Sequence, residues 1–98
     1  MSAYLITQIA WTNPAARQEY IEKLGKVAES FGGRWIVASS EPKVVEGQWK
    51  PGRLVVAEFP TMEALTKFYE SAEYRPARDL RLKNAQCDSV MVQGTGSS

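Results

Sequence analysis

The chain alternates between runs that are apolar at nearly every position and longer stretches that are apolar only at helical spacing. Residues 3–11 place Tyr4, Ile6 and Ala10 on one side of an extended strand and Leu5, Ile9 and Trp11 on the other. A strand apolar on both sides belongs in the middle of a sheet whose two faces are covered. Thr12-Asn13-Pro14 comes next. Asn13 is suited to cap free backbone N–H groups, and Pro14 loses nothing at a first helical position. The helix should run to about Phe31, with Tyr20, Leu24, Val27, Ala28 and Phe31 as its apolar stripe. Glu19–Lys23 and Glu22–Lys26 support its wet side. Gly32-Gly33 supplies a left-handed helix end.

Residues 34–39 read as a second strand, broken by Ser40-Glu41-Pro42. Residues 43–46 read as a short extended piece, and residues 47–52 as a turn-rich loop holding Trp49. This segment either folds back as a hairpin or extends as an arm over a partner. Residues 53–59 form a third strand, again apolar on both faces. Thr61 is placed to cap a second helix, with Met62, Leu65, Phe68, Tyr69 and Ala72 facing inward and Glu63–Lys67 outside. Pro76 predicts a break near residues 73–75, followed by a short helix to about Leu82. Residues 86–93 form the fourth strand.

The order βαββαβ predicts an α+β, ferredoxin-like fold: a four-stranded antiparallel sheet, helices on one face, and the first and third strands central. One domain should span residues 1–94, with 95–98 a flexible C-terminal tail. The helices cover only one face of a sheet whose central strands are apolar on both. A second copy of the same sheet is the simplest cover, so a homodimer with its sheets face to face is expected.

Composition narrows the function classes. A chain of 98 residues buries only about 60–65% of its unfolded surface, so it is marginal alone and gains from association. With 44% hydrophobic and 23% charged residues, disorder is excluded. A net charge of +1 gives no electrostatic basis for a nucleic-acid or membrane partner. No apolar run approaches the roughly 20 residues of a membrane span. The first residues alternate like a strand, without a basic leader. Together with the single Cys87, this points to a cytoplasmic location. The absence of histidine removes the usual serine and cysteine triads, histidine-rich zinc sites and a proximal-histidine haem. No metal and no cofactor are expected.

Glu58 is a carboxylate inside an apolar strand. Facing the space between sheet and helices, it would have a raised pKa and serve in acid–base work; at the sheet margin it would pair with an arginine or stay solvated. Arg75, Arg78 and Arg81 recur at helical spacing ahead of Lys83. Two of them can converge on a carboxylate or phosphate, or all form a solvated face paired with Glu70, Glu73 or Asp79. Tyr69 and Tyr74 bracket the helical break, where their hydroxyls either orient a bound carbonyl or phenol or find backbone partners. Trp49 and Trp11 can line an aromatic cleft, although Trp49 suits a dimer interface better. Gln8, polar in a central strand, needs a partner and is expected near Glu58. Cys87 reads as a small core residue.

Several of these features together resemble the family catalogued as domain of unknown function 1330. They are Asn13-Pro14, the Glu46-Gly47-Gln48-Trp49 turn, Arg53-Leu54-Val55-Val56-Ala57-Glu58-Phe59-Pro60, and Phe68-Tyr69-Glu70-Ser71-Ala72-Glu73-Tyr74 followed by Arg78 and Arg81. The resemblance covers nearly the whole chain before the tail. It implies a dimeric α+β barrel, within a superfamily that holds small monooxygenases, isomerases and lactone-forming enzymes beside members without known chemistry. It also singles out Arg81 among the arginines.

Two readings follow. In one, the chain is a cofactor-free enzyme, monooxygenase- or isomerase-like, acting on a small metabolite in a sheet–helix cleft. Glu58 moves a proton, Arg81 neutralises charge, Tyr69 or Tyr74 orients the substrate, and Trp49, Arg78 and Gln8 help bind it. In the other, it is a non-catalytic small-molecule-binding or dimeric interaction domain.

Overall fold

The computed structural model describes residues 1–95, apart from the side chains of residues 39 and 40. Along it run β1 (Ala3–Trp11), α1 (Ala15–Ser30), β2 (Arg34–Ser40), β3 (Leu54–Phe59), α2 (Met62–Glu70), α3 (Arg75–Asn84) and β4 (Ala85–Gln93). The strands form one sheet in the order β2-β3-β1-β4, each neighbouring pair antiparallel. This is the expected ferredoxin-like α+β arrangement, with β1 and β3 central. Residues 96–98 of the expected tail lie outside the described residues, while Gly94 donates its amide to the Ser2 carbonyl at 2.7 Å.

Alternation along β1 assigns the two faces of the sheet. Ala3, Leu5, Thr7 and Ile9 are buried toward the helices, while Tyr4, Ile6 and Gln8 are half-buried on the other face. Under the helices, Phe59, Phe68 and Tyr74 stack in sequence, with centroid separations of 4.9 and 4.4 Å. Leu24, Ala28, Leu65 and Ala77 pack round them. Offset aromatic contacts of this kind add to the area they bury.

The helices start and stop for different reasons. α1 ends in a Schellman motif: Gly32, at φ 83°, donates to the Glu29 carbonyl and Gly33 to that of Ala28. At its start, the expected Asn13 cap is not formed. The Asn13 amide donates instead to Asn84 Oδ1 at 3.1 Å, and the helix begins at Ala15 with no side-chain cap. Thr61 does cap α2, accepting from the Ala64 amide at 3.0 Å. α2 ends at Glu70, so Ala72 lies beyond it, exposed rather than in the buried stripe. Ser71 holds the break: its hydroxyl donates to the Phe68 carbonyl and accepts from the Tyr74 amide. Pro76 then sits in the first turn of α3, where its missing N–H costs nothing.

Residues 43–46 form neither a strand nor a hairpin. The loop instead returns across the helix-free face, where Trp49 Nε1 donates to Gln8 Oε1 at 2.8 Å. In β2 the register with β3 slips between Trp35 and Val37. That bulge turns Trp35 and Ala38 toward the helix side and Val37 toward the open side.

Gly33 is fixed by contact: a Cβ there would lie 2.5 Å from Phe59 Cε2, inside the core. We predict that Gly33→Ala lowers unfolding stability by about 1–3 kcal/mol in urea denaturation. An unchanged midpoint would show that Phe59 is not held where this packing puts it.

Candidate functional site

α1 turns Arg17, Tyr20, Ile21, Leu24 and Gly25 toward the sheet, at the spacing of a single helical face. Opposite them stand alternate residues of β1 (Leu5, Thr7, Ile9 and Trp11), with Trp35 and Ala38 of β2 and Val55 of β3. Between the two walls is a cleft of about 210 Å³, completed by Arg81 from α3. Ile21 and Ala38 are exposed, so the cleft opens to solvent. Gly25 helps keep it empty, because a Cβ at that position would meet nothing within 4 Å.

α3 brings Tyr74, Ala77 and Arg81 to its buried side, in register with successive helical turns. Arg81 is only 3% exposed, and its Nε has no hydrogen-bond partner. Burial alone works against its charge, but the Tyr74 and Tyr20 phenols and a hydrogen bond with Cys87 outweigh burial and hold the guanidinium above its usual range. Its place in the last turn of α3 adds the favourable end of the helix dipole. Burial, then neighbouring Tyr74, push the Tyr20 phenol far up, against the opposing pull of Arg81. The Tyr20 and Tyr74 hydroxyl oxygens are 3.3 Å apart, so the two phenols bond to each other beside a fixed cation. No carboxylate is found among the described residues lining the cleft.

The family described as Domain of unknown function (DUF1330) matches residues 2–95. The chain belongs to this family. No curated protein matches its sequence. It is similar in structure to a protein of unknown function from Rhodopseudomonas palustris, at 17% identity over 95% of this chain and 82% of that one, with a TM-score of 0.75. A dimeric ferredoxin-like protein of unknown function from Jannaschia sp. CCS1 matches at 12% identity over 96% and 100% of the two chains, TM-score 0.75. SnoaB, a cofactor-independent oxygenase from Streptomyces nogalater, matches at 8% identity over 98% and 95%, TM-score 0.71. Identities this low carry the fold and leave activity to the site.

In this DUF1330 chain the sequence candidates divide between the two faces of the sheet. Arg81 lines the cleft, and Trp11 does too. Tyr74 is buried beside it and reaches Tyr20 through its hydroxyl. Tyr69 packs against the Tyr74 ring at 5.6 Å and carries the Arg78 guanidinium 5.6 Å above its own ring. Tyr69 and Arg78 thus hold each other, away from the cleft lining. Arg78 and Arg81 do not converge.

Glu58 faces the opposite side. Its carboxylate accepts from Arg34 Nε at 2.8 Å and from the Tyr4 hydroxyl at 3.1 Å, and Arg34 Nη2 lies 2.6 Å away. Those bonds, Arg34 first and Tyr4 second, hold its pKa below the usual value of 4.5. The raised pKa needed of a neutral-pH proton carrier is absent. Gln8 is not its neighbour, because the register sets Tyr4 opposite Glu58 and Gln8 opposite Leu54, about 13 Å along the strand. Gln8 and Trp49 bond to each other on that same helix-free face.

Sequence reasoning placed Tyr20 and Leu24 in the core stripe and passed over Arg17, Ile21 and Gly25. The signal was there: an arginine and a glycine share one face with them, and mid-helix glycine costs roughly 1 kcal/mol against alanine. Thr7 also belongs to this wall. It is buried, with its hydroxyl 2.9 Å from that of Ser89.

Among the described residues no helix is long and apolar enough to cross a membrane, and no group of three or more His, Cys, Asp or Glu gathers to hold a metal.

The Glu58 pairing gives a signed pH dependence. A lowered folded pKa contributes stability above the unfolded pKa and loses it as pH falls through the folded one. We predict that Glu58→Gln is less stable than wild type in urea at neutral pH, and that the gap closes in acid below 4.5. A gap independent of pH would mean that the ionised pairing contributes nothing.

Proposed function

We propose that this chain acts as a homodimer whose subunits meet through the helix-free sheet face, each binding a small, mostly apolar molecule between α1 and the sheet. The observation that carries the binding reading is the cleft itself. An apolar cavity of about 150 Å³ takes up benzene. A cleft of about 210 Å³ has room for a ring with a few further atoms.

The helix-free face supports the dimer. Val56, Ile6 and Val90 lie side by side across three strands. Val90 is 56% and Val92 41% exposed, and Trp49, bonded to Gln8 on the same face, is 60% exposed. A run of exposed apolar side chains on a small domain favours association. The Jannaschia protein is described as dimeric, and so is a second ferredoxin-like protein, from Thermobifida fusca. The free Cys87 supports a cytoplasmic setting.

Binding is favoured over catalysis because Glu58 points away from the cleft and, among the described residues, no other carboxylate lines it. The likeness to SnoaB supports a second reading, cofactor-free oxygen chemistry in the same cleft. It would require a substrate that ionises without a protein carboxylate or histidine as base.

Both halves are testable. Light scattering should give twice the 10.9 kDa chain mass for wild type and the single chain mass for Val56→Lys, which places a charge in the interface. A wild-type monomer at micromolar concentration would contradict the dimer. In NMR titrations with p-cresol, the methyl signals of Leu24, Ile9 and Val55 should shift saturably. In Gly25→Leu, which fills the cleft with a better helix former, they should stay still. No saturable shift in wild type would contradict the binding reading.

A further inference from the structure

We infer that the cleft takes an organic monoanion: an apolar body of about one ring bearing a single carboxylate that accepts a hydrogen bond from Arg81 Nε. This rests on the cleft being a ligand site and adds the charge and polarity of what enters it.

Arg81 carries a full positive charge at every physiological pH. It is 97% buried by its 3% exposure, and Nε is left without a partner. A buried donor on a charged group costs more to leave unused than any other kind. Among the described residues no acceptor reaches Nε, although other groups support the charge. The groups that act on it are Tyr20, Tyr74 and Cys87, none of them a carboxylate. The acidic side chains in described ion pairs are committed elsewhere, Glu58 to Arg34 and Glu63 to Lys67. An apolar residue at this point of α3 would fill the same space without the penalty. An arginine here is accounted for by an anion that arrives from outside, through the cleft Arg81 lines.

The surroundings also set the anion's form. A phosphate dianion needs several converging donors, and apart from Arg17 on α1, Thr7 and the Tyr20 hydroxyl the lining shared with Arg81 is aliphatic and aromatic. A carboxylate needs fewer. The Tyr20 and Tyr74 hydroxyls share a single bond between them, so one hydroxyl proton remains to join Nε on the second carboxylate oxygen. Leu5, Ile9, Leu24 and Val55 then enclose the apolar body.

The test compares 4-methylbenzoate with 4-methylbenzamide, its neutral isostere, by calorimetry at low salt. Wild type should bind the carboxylate at least about 10-fold more tightly than the amide. Arg81→Met should abolish that preference while melting no lower than wild type, since it removes an uncompensated charge. Should Arg81→Met fail to fold, Arg81→Lys keeps the charge but lacks the Nε donor, and it should lose several-fold in carboxylate affinity. Equal affinity for the two probes, or a preference that survives these substitutions, overturns the inference. If p-cresol and the amide bind but the carboxylate is not preferred, the cleft stands and the anion falls. If none of the three binds, both fall.

Discussion

A guanidinium held out of water with one donor unused sets the terms for the rest of this molecule. Arg81 is where it is because α3 follows a break fixed by Ser71 and Pro76, which starts the helix so that Tyr74, Ala77 and Arg81 all turn inward. The helix end gives part of the compensation, and the tyrosine pair gives neutral polarity beside it. No carboxylate lines the cleft among the described residues, and the space beside the guanidinium is open and mostly apolar. The same geometry that makes the position costly is the basis of the selectivity we propose for it.

The sheet divides the labour. Its helix side carries the aromatic core at one end and the cleft at the other, separated by whether α1 offers Ala28 or Gly25. Its open side carries the ion pair of Glu58 with Arg34, the Tyr4 hydroxyl and the Trp49–Gln8 bond, set round a patch of Val56, Ile6 and Val90. Those polar groups are bonded pairwise within one subunit, and the exposed carboxylate of Asp88, opposite Gln8 in the register, shares the face. Cleft and open face are thus two consequences of one layer of helices on a sheet that is apolar on both sides.

Much of the fold was legible because its signals are local. Period-two runs, the Thr61 cap, the Gly32-Gly33 ending and Pro76 each act within a few residues, and they agree with one another. Asn13 misled because its side chain is turned to a tertiary partner, donating from Nδ2 to Asn84, and does not cap the helix. The site was less legible, because which face a strand residue occupies depends on register. Glu58 and Phe59 are adjacent, yet one sits at the margin of the open face and the other in the core. Strand parity relative to Ala57 would have separated Glu58 from the cleft, but choosing the helix side needs the packed structure. Arg81 was found through its helical spacing and family resemblance. Its burial was not, since the same spacing also describes a solvated stripe, as exposed Arg75 shows.

The most direct measurement of the central claim is the NMR signal of the Arg81 Nε–H proton during addition of 4-methylbenzoate. A donor held from water with no acceptor should give a resolved resonance in the free protein. It should move strongly downfield as the carboxylate saturates the cleft. If that resonance stays fixed while the cleft methyl signals shift, the guanidinium is not what recognises the ligand, and the account built on it is wrong.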